Sequence, residues 1–584
     1  MSNIGRVPEE LAVGRGDPAY MAHAYLTKVP VPAIVPFIEA YTEPGDLVLD
    51  PFAGSGMTGV AAAICGRRGR LSDVSVLGRH IGQNYVNLVD AEHLQKQADE
   101  VIRASREALQ HIYATPCLAC GQAAELAKSV WAMLLACGGC GESVNYYRAF
   151  EAADWRKPDM RCPHCAADFG SRQRRVSEEP VIDYINCSCS PKQLEQPAGD
   201  GRADIDLDPF DYPKVEITPD RQMYKASALG KNGLTTVAAF YSPRNLAVLA
   251  TLRAKIGEVA DERIRSKLLF AFTACLTRAS KRYQWSRQRP LNAANANYYV
   301  APVFYEWNVF DLFARKVVAT TRSDDWVRQS RGEGSLFEPE LDVQYNIGSA
   351  DSIDLPDASV DYVFTDPPFG SNLFYADMAL FQEGWLGGFT DVNQEAVIDR
   401  SRSGTRSSGR YEQLLADALG ECRRVLKPGG RVSMVFGNSS GKVWALVQRA
   451  IAAAGLAIEP DSLVVLNKGQ RSVKGLASGF EDVATLDLII TMVPCKDAAP
   501  PAEHVRSDEV ATATKHLASS NQATTPSHLY LELLRHGIRE GWHLGELDLR
   551  TVTSTLIDDG WLIEPKTGTL SRITEVEPGV PLKR

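Results

Sequence analysis

No apolar run in the chain approaches the ~20 residues that span a bilayer. Residues 1–16 are polar, carry both charge signs and lack the apolar core of a secretory signal. A cytoplasmic location and no membrane partner are therefore expected. Positive charge is not in excess: 63 Lys and Arg face 72 Asp and Glu, giving a net charge of −9 and a pI near 5.7. That balance excludes a global basic footprint and leaves nucleic-acid contact to local patches. Cysteine is scarce outside one stretch. Of 12 cysteines, only Cys65, Cys275, Cys422 and Cys495 lie elsewhere, and these read as buried thiols. Hydrophobic content of 45% and charged content of 23% are ordinary for a globular protein, and 584 residues exceed a single core.

Two candidate strand ends organise what is present. Residues 47–49 read as a short buried strand that runs into Asp50-Pro51-Phe52-Ala53-Gly54-Ser55-Gly56, and residues 57–65 then read as a helix. Strand, glycine-rich turn and helix form the first unit of a doubly wound sheet. Small residues allow close approach of a ligand to the backbone, and the helix start offers free N–H groups. Asp73 ends the next candidate strand, where an acid commonly holds ribose hydroxyls. Far downstream, the apolar run 360–364 ends in Thr365-Asp366-Pro367-Pro368-Phe369-Gly370. Proline cannot continue a central ladder, so the chain must leave the sheet in a rigid turn. An acid, a proline carbonyl and an aromatic face held together suit a planar group bearing an exocyclic amine, such as a nucleobase.

Leu49-Asp50-Pro51-Phe52-Ala53-Gly54-Ser55-Gly56 resembles the cofactor motif of S-adenosylmethionine-dependent DNA amino-methyltransferases, and Thr365-Asp366-Pro367-Pro368-Phe369-Gly370 resembles their catalytic motif. His23-Ala24-Tyr25-Leu26-Thr27-Lys28-Val29-Pro30 is similar to the segment covering the methionine end of the cofactor. The resemblance covers roughly residues 20–100 and 340–495. It implies an α/β fold, a doubly wound Rossmann-like sheet interrupted by an insertion. It implies S-adenosylmethionine held by Tyr25, Thr27, Asp50, Pro51, Phe52, Ala53, Gly54, Ser55, Gly56 and Asp73, with Ser349, Ala350 and Asp351 near the adenine. The family's usual adenine-contacting acid is replaced by Ser349 or shifted to Asp351. Catalysis falls to Asp366, Pro367, Pro368 and Phe369, with Phe369 stacking on the base. The implied substrate is double-stranded DNA with its target base flipped out. Adenine N6 is favoured over cytosine N4 because Asp-first motifs go mostly with adenine. A restriction or phage-defence component is the implied partner. Two other readings stand beside this one. A tRNA guanine-N2 methyltransferase has an Asp-Pro-Pro-Tyr-Gly motif that shares Gly370, and a non-catalytic zinc-ribbon protein would retain the fold without the activity.

Cys117, Cys120, Cys137, Cys140, Cys162, Cys165, Cys187 and Cys189 form three Cys-x-x-Cys knuckles and one Cys-x-Cys, enough thiolates for two structural Zn²⁺ sites. Sequential pairing joins the first two knuckles and then the last two; nested pairing joins the outer and the inner pairs. Further on, Lys281, Arg282, Tyr283, Trp285, Arg287 and Arg289 interleave cations with aromatics, the mix expected of a phosphate-binding loop with stacking groups. Asn292, Asn295, Asn297, Tyr298 and Tyr299 follow, as candidate readers of base edges or as side chains that satisfy a loop backbone. The Gly/Ser/Arg-rich stretch 400–410 reads as a loop near the active site.

The expected division follows. Residues 1–110 are the amino-terminal half of the methyltransferase domain, and 111–200 a zinc-ribbon-like insertion. A helical recognition region spans 201–340, and the carboxy-terminal half of the methyltransferase domain 341–495. Residues 496–526 are an Ala/Pro/Thr/Ser-rich linker, and 527–584 a small winged-helix-like α/β module.

Overall fold

Apolar side chains alternate between two buried faces along the central strands. The computed structural model describes residues 7–199, 205–287, 298–331, 341–370, 373–399, 407–469, 485–501, 507–520, 525–564 and 568–572. Arg289, Asn292, Asn295, Asn297 and residues 400–406 lie outside that set.

Three strands open the chain: β1 (Glu10–Ala12), β2 (Leu47–Asp50) and β3 (Arg68–Asp73). A second sheet follows, made of β4 (Ala114–Pro116), β5 (Ala123–Ala136), β6 (Ser143–Asn145), β7 (Arg175–Asn186), β8 (Leu194–Pro197) and β9 (Val303–Trp307). The chain then returns to the first sheet with β10 (Val343–Ile347), β11 (Val360–Thr365), β12 (Leu426–Phe436), β13 (Leu456–Asn467) and β14 (Asp487–Pro494).

Among the described residues, the first sheet has eight strands in the order β1-β13-β14-β12-β11-β2-β3-β10. It is parallel except where β14 runs antiparallel to both β12 and β13. Leu47, Leu49 and Val363 face one core, while Val48, Tyr362 and Phe364 face the other. Helices 408–425 and 441–453 cover the first face; helices 31–41 and 57–64 cover the second. Burial on both sides explains why these strands read as unbroken apolar runs. The chain order reverses between β2 and β11, whose Val48 and Leu49 pair with Tyr362 and Val363. Ligands of open α/β sheets bind beyond the strand ends at such a reversal.

The second sheet has six strands among the described residues. Its spine is β5, which pairs antiparallel with β4, β6, β7 and β9. The expected boundary at residue 200 does not divide the structure. β9 comes from the stretch assigned to recognition yet pairs with β5. One hydrophobic core runs from Val130 and Ile185 to Phe240, Leu268 and Phe381. The expected linker also needs correction: Ser507–Ser520 is a helix whose Val510 and Ala518 share a core with Leu529, Leu533 and Val552 of the terminal module. That module does have helices followed by a hairpin, β15 (Trp561–Ile563) and β16 (Leu570–Arg572). It is docked on helix Gly441–Ala453: Gly441 N donates to Asp548 Oδ1 at 2.8 Å, and Gln448 Nε2 donates to the Trp542 carbonyl at 2.8 Å. Among the described residues, no helix is long and apolar enough to cross a membrane.

Candidate active site and metal centres

The carboxyl ends of β2, β3, β10 and β11 frame a cleft with about 900 Å³ of free space, its open mouth included. It gathers Tyr25, Thr27, Asp50, Pro51, Phe52, Ala53, Gly54, Ser55, Asp73, Ser349, Ala350, Asp366 and Pro368. Gly56, Asp351, Pro367 and Phe369 do not line it. Of the two alternatives at the end of β10, then, Ser349 reaches the cleft and Asp351 does not.

Asp50 is the floor of the glycine-rich turn. Its Oδ1 accepts from Phe52 N at 3.1 Å and Thr365 Oγ1 at 2.8 Å, and its Oδ2 accepts from Thr58 Oγ1 at 2.6 Å. Burial pushes its carboxyl up to about 7 against the pull of those donors. Asp73 braces the same turn, accepting from Gly54 N at 2.8 Å and Ser75 N at 2.9 Å, and burial raises its carboxyl too. The Tyr345 hydroxyl donates to the Gly54 carbonyl at 2.6 Å. Gly54, Gly56 and Gly59 together satisfy Gly-x-Gly-x-x-Gly, which corrects a reading of this turn as lacking the nucleotide fingerprint. Gly54 has φ +48, so the turn needs the left-handed region. A Cβ on Gly56 would lie 2.7 Å from Gly82 Cα, and one on Gly59 would lie 2.6 Å from Leu71 Cδ1. These contacts seat the helix close against β3 and against the helix Val76–Val86, which leaves the turn's small residues facing the cleft. Across the mouth, the Tyr25 ring stacks on Tyr375 at 6.4 Å, and Thr27 Oγ1 lies 2.8 Å from the Tyr375 hydroxyl. Thr27 has φ +45, an outlier for a β-branched residue of the kind that clusters at ligand sites. The small residues of the turn and the aromatic cover fit S-adenosylmethionine.

The Asp366 turn is fixed through its carbonyls. The Tyr411 hydroxyl donates to the Pro368 carbonyl at 2.7 Å, and Asn438 Nδ2 donates to the Phe369 carbonyl at 2.8 Å. Among the described residues, the Asp366 carboxylate makes no hydrogen bond, and it lines the cleft. Burial pushes it up to about 8, opposed by Lys468, which is itself ion-paired with Asp487 at 2.5 Å. Neither Lys468 nor Asp487 belongs to a recognisable motif, and only the pairing of β13 with β14 brings them beside Asp366. Phe369 departs from expectation. Its ring packs on Phe436 at 5.1 Å instead of lining the cleft, because the turn directs it into the apolar layer under β12. The aromatic rings that do line the cleft are Tyr25, Phe52, Phe364 and Tyr375.

The eight thiols form two groups, Cys117, Cys120, Cys187 and Cys189, and Cys137, Cys140, Cys162 and Cys165. Pairing is therefore nested. The antiparallel match of β5 with β7 brings the outer knuckles together at one end of the ladder. Sulfur separations of 3.8 Å (Cys117 to Cys189), 3.6 Å (Cys120 to Cys187), 3.7 Å (Cys137 to Cys165) and 3.8 Å (Cys140 to Cys162) match the ~3.75 Å edge of a tetrahedron with ~2.3 Å metal–sulfur bonds. Both groups fit Zn²⁺.

The basic aromatic stretch is not a surface loop. Lys281, Arg282 and Tyr283 are buried. Lys281 pairs with Glu178, Arg282 lies over the Phe381 ring at 5.0 Å, and Trp285 packs on Tyr147 at 5.3 Å. Only Arg287 is exposed among the described members, and it sits over Trp155 at 5.4 Å. Interleaved cations and aromatics satisfy a cation–π core as well as they satisfy a phosphate surface.

A protein-family model described as DNA methylase matches residues 9–91, which carry β1 to β3 and the cofactor turn but not Asp366. Over 82 residues the chain is 43% identical to the type II methyltransferase M.XycI of Xanthomonas campestris pv. cyanopsidis, covering 14% of this chain and 25% of that protein. Over 42 residues it is 57% identical to the putative methylase YubD of Escherichia coli (strain K12), covering 7% of this chain and 18% of that protein. The chain thus spans a quarter or less of the length of these relatives. No solved structure matches it. The matches support the N6/N4 DNA methyltransferase family, in agreement with the two motifs.

Proposed function

We propose that the chain is a DNA methyltransferase that moves a methyl group from S-adenosylmethionine to an exocyclic amine of a flipped base, adenine N6 in preference to cytosine N4. The observation that carries this reading is Asp366. It stands one strand away from the glycine-rich turn, at the reversal of the sheet, with its carboxylate uncommitted among the described residues.

An exocyclic amine is a weak nucleophile because its lone pair is delocalised into the ring. Asp366, which lines the cleft, accepts one of its N–H groups, which favours a pyramidal nitrogen with a localised lone pair; the Pro367 carbonyl, the acceptor expected for the other, does not line the cleft. The cofactor supplies an electrophilic methyl group on a sulfonium. The nitrogen forms the new N–C bond as the S–C bond breaks, and Asp366 is placed to take the released proton. Acceptors fixed before the reaction stabilise charge as it develops. Tyr25, Phe52 and Tyr375 offer the stacking faces expected of Phe369. Two Zn²⁺ ions staple the second sheet. A place in restriction-modification or phage defence in the cytoplasm completes the proposal, and the likeness to a type II methyltransferase supports it.

Incubation with methyl-labelled cofactor and separate DNA and RNA pools tests the reading. The expected product is N6-methyladenine in DNA. Label confined to RNA would overturn it in favour of a guanine-N2 enzyme, and DNA binding without label would favour a non-catalytic role. Elemental analysis should find two zinc ions per chain, with Cys117→Ser and Cys137→Ser each losing one.

A further inference from the structure

A second cavity lies behind the Tyr25 and Tyr375 pair, with about 1390 Å³ of free space, open mouth included. Both tyrosines line both cavities and form the wall between them. The second cavity is mostly apolar, yet among the described residues four cations reach it, Arg278, Arg282, Arg315 and Lys316, and no carboxylate lines it. Arg278 donates to the Tyr283 hydroxyl at 3.1 Å, Arg315 to the Asp311 carbonyl at 3.0 Å, and Lys316 to the Ala22 carbonyl at 2.9 Å. These are neutral acceptors. Among the described residues, Arg278, Arg315 and Lys316 make no ion pair with a carboxylate, although Arg315 is electrostatically coupled to Asp311. Concentrated positive charge on low-dielectric walls disfavours itself unless an anion enters.

We infer that this cavity is a phosphate site and that it takes a phosphodiester of the substrate strand next to the flipped nucleotide. The inference rests on the nucleic-acid reading above and adds where the strand is held. It gives Arg282 a role as part of the cavity's inner wall rather than of a surface clamp. A nucleotide that enters the catalytic cleft carries a phosphate on each side. The tyrosine wall separates the base-binding volume from the charge-binding one by the thickness of a ring pair. Apolar lining around the guanidinium groups excludes water and strengthens each charge-assisted hydrogen bond.

The test uses the full chain. Affinity for a double-stranded oligonucleotide is measured from low to moderate salt for the wild type, Arg278→Gln, Arg315→Gln and Arg315→Lys, with cofactor affinity and thermal midpoint recorded in parallel. Each Gln variant should lose roughly tenfold or more in affinity, and its log–log salt slope should fall by about 0.7–0.9. Arg315→Lys should recover most of the slope, and cofactor affinity should stay unchanged. Lower affinity with an unchanged salt slope would overturn the site, because it reports damage to packing. Unchanged affinity would also overturn it, while leaving the methyltransferase reading intact. A wild type that binds no oligonucleotide would overturn both. Competition by a mononucleotide that the Gln variants abolish, with oligonucleotide binding unaffected by them, would overturn the strand assignment in favour of a small phosphate ligand.

Discussion

Asp50 and Asp366 occupy equivalent places. Each precedes a proline and stands at the carboxyl end of one of two neighbouring parallel strands. Their carboxylates do different things. Asp50 accepts three hydrogen bonds, from Phe52, Thr58 and Thr365, and so is part of the scaffold. Asp366 accepts none among the described residues and faces the cleft. The difference arises from the chain that follows. After Asp50 the backbone curls into a helix whose first turn returns Thr58 to the carboxylate. After Asp366 two prolines remove the N–H groups that would otherwise cap it. A satisfied acid builds a turn, and an unsatisfied one at the same sheet position is available to a substrate.

The largest expected effect comes from Asp366→Ala, which should reduce transfer by about 10²–10³-fold or more with cofactor affinity within a factor of two by calorimetry. Retained turnover would erase the contrast. Asp50→Ala should do the reverse. It strands the Thr58 and Thr365 hydroxyls and the Phe52 N–H, costing about 2–4 kcal/mol in denaturant unfolding, and it should weaken cofactor binding. A variant of unchanged stability would show that Asp50 is not scaffold.

A pH series sharpens the contrast further. The Asp366 carboxyl sits at about 8 in the folded chain against an ordinary 3.8, so the folded state holds a proton that the unfolded state releases. Its contribution to stability is therefore favourable at low pH and lost as pH rises from about 4 to about 8. Asp366→Asn should match the wild type in thermal midpoint at pH 4 and exceed it at pH 9. Wild-type kcat/KM should rise over the same upper range as the acceptor becomes charged. The smallest effect is expected from Thr365→Val, which removes only the bond tying the two turns. It should cost about 1 kcal/mol and lower transfer a fewfold.

Both strand-end motifs were legible because each is local: an apolar run, a turn chemistry and a following helix or loop within a dozen or so residues. The two cysteine clusters were legible for the same reason, as knuckles of close spacing. Their pairing was not, since it depends on the register between β5 and β7. The stretch from Lys281 to Trp285 was misread because composition does not distinguish a cation–π interior from a phosphate surface, and only long-range packing on Glu178, Phe381 and Tyr147 decides. The helix Ser507–Ser520 was hidden by its Ala, Thr and Ser content, and it owes its place to burial of Val510 and Ala518. Lys468 and Asp487 could not be found at all from local pattern.

The pairing of β9 with β5 sets a rule for exchange. A transplant of residues 111–200 would sever the second sheet along its spine and expose Val130 and Ala132, whose partners across the ladder are Tyr305 and Val303. A chimera that is to keep the sheet whole must carry the segment from β4 through β9 as a single graft, with its ends at the sheet that bears the cleft.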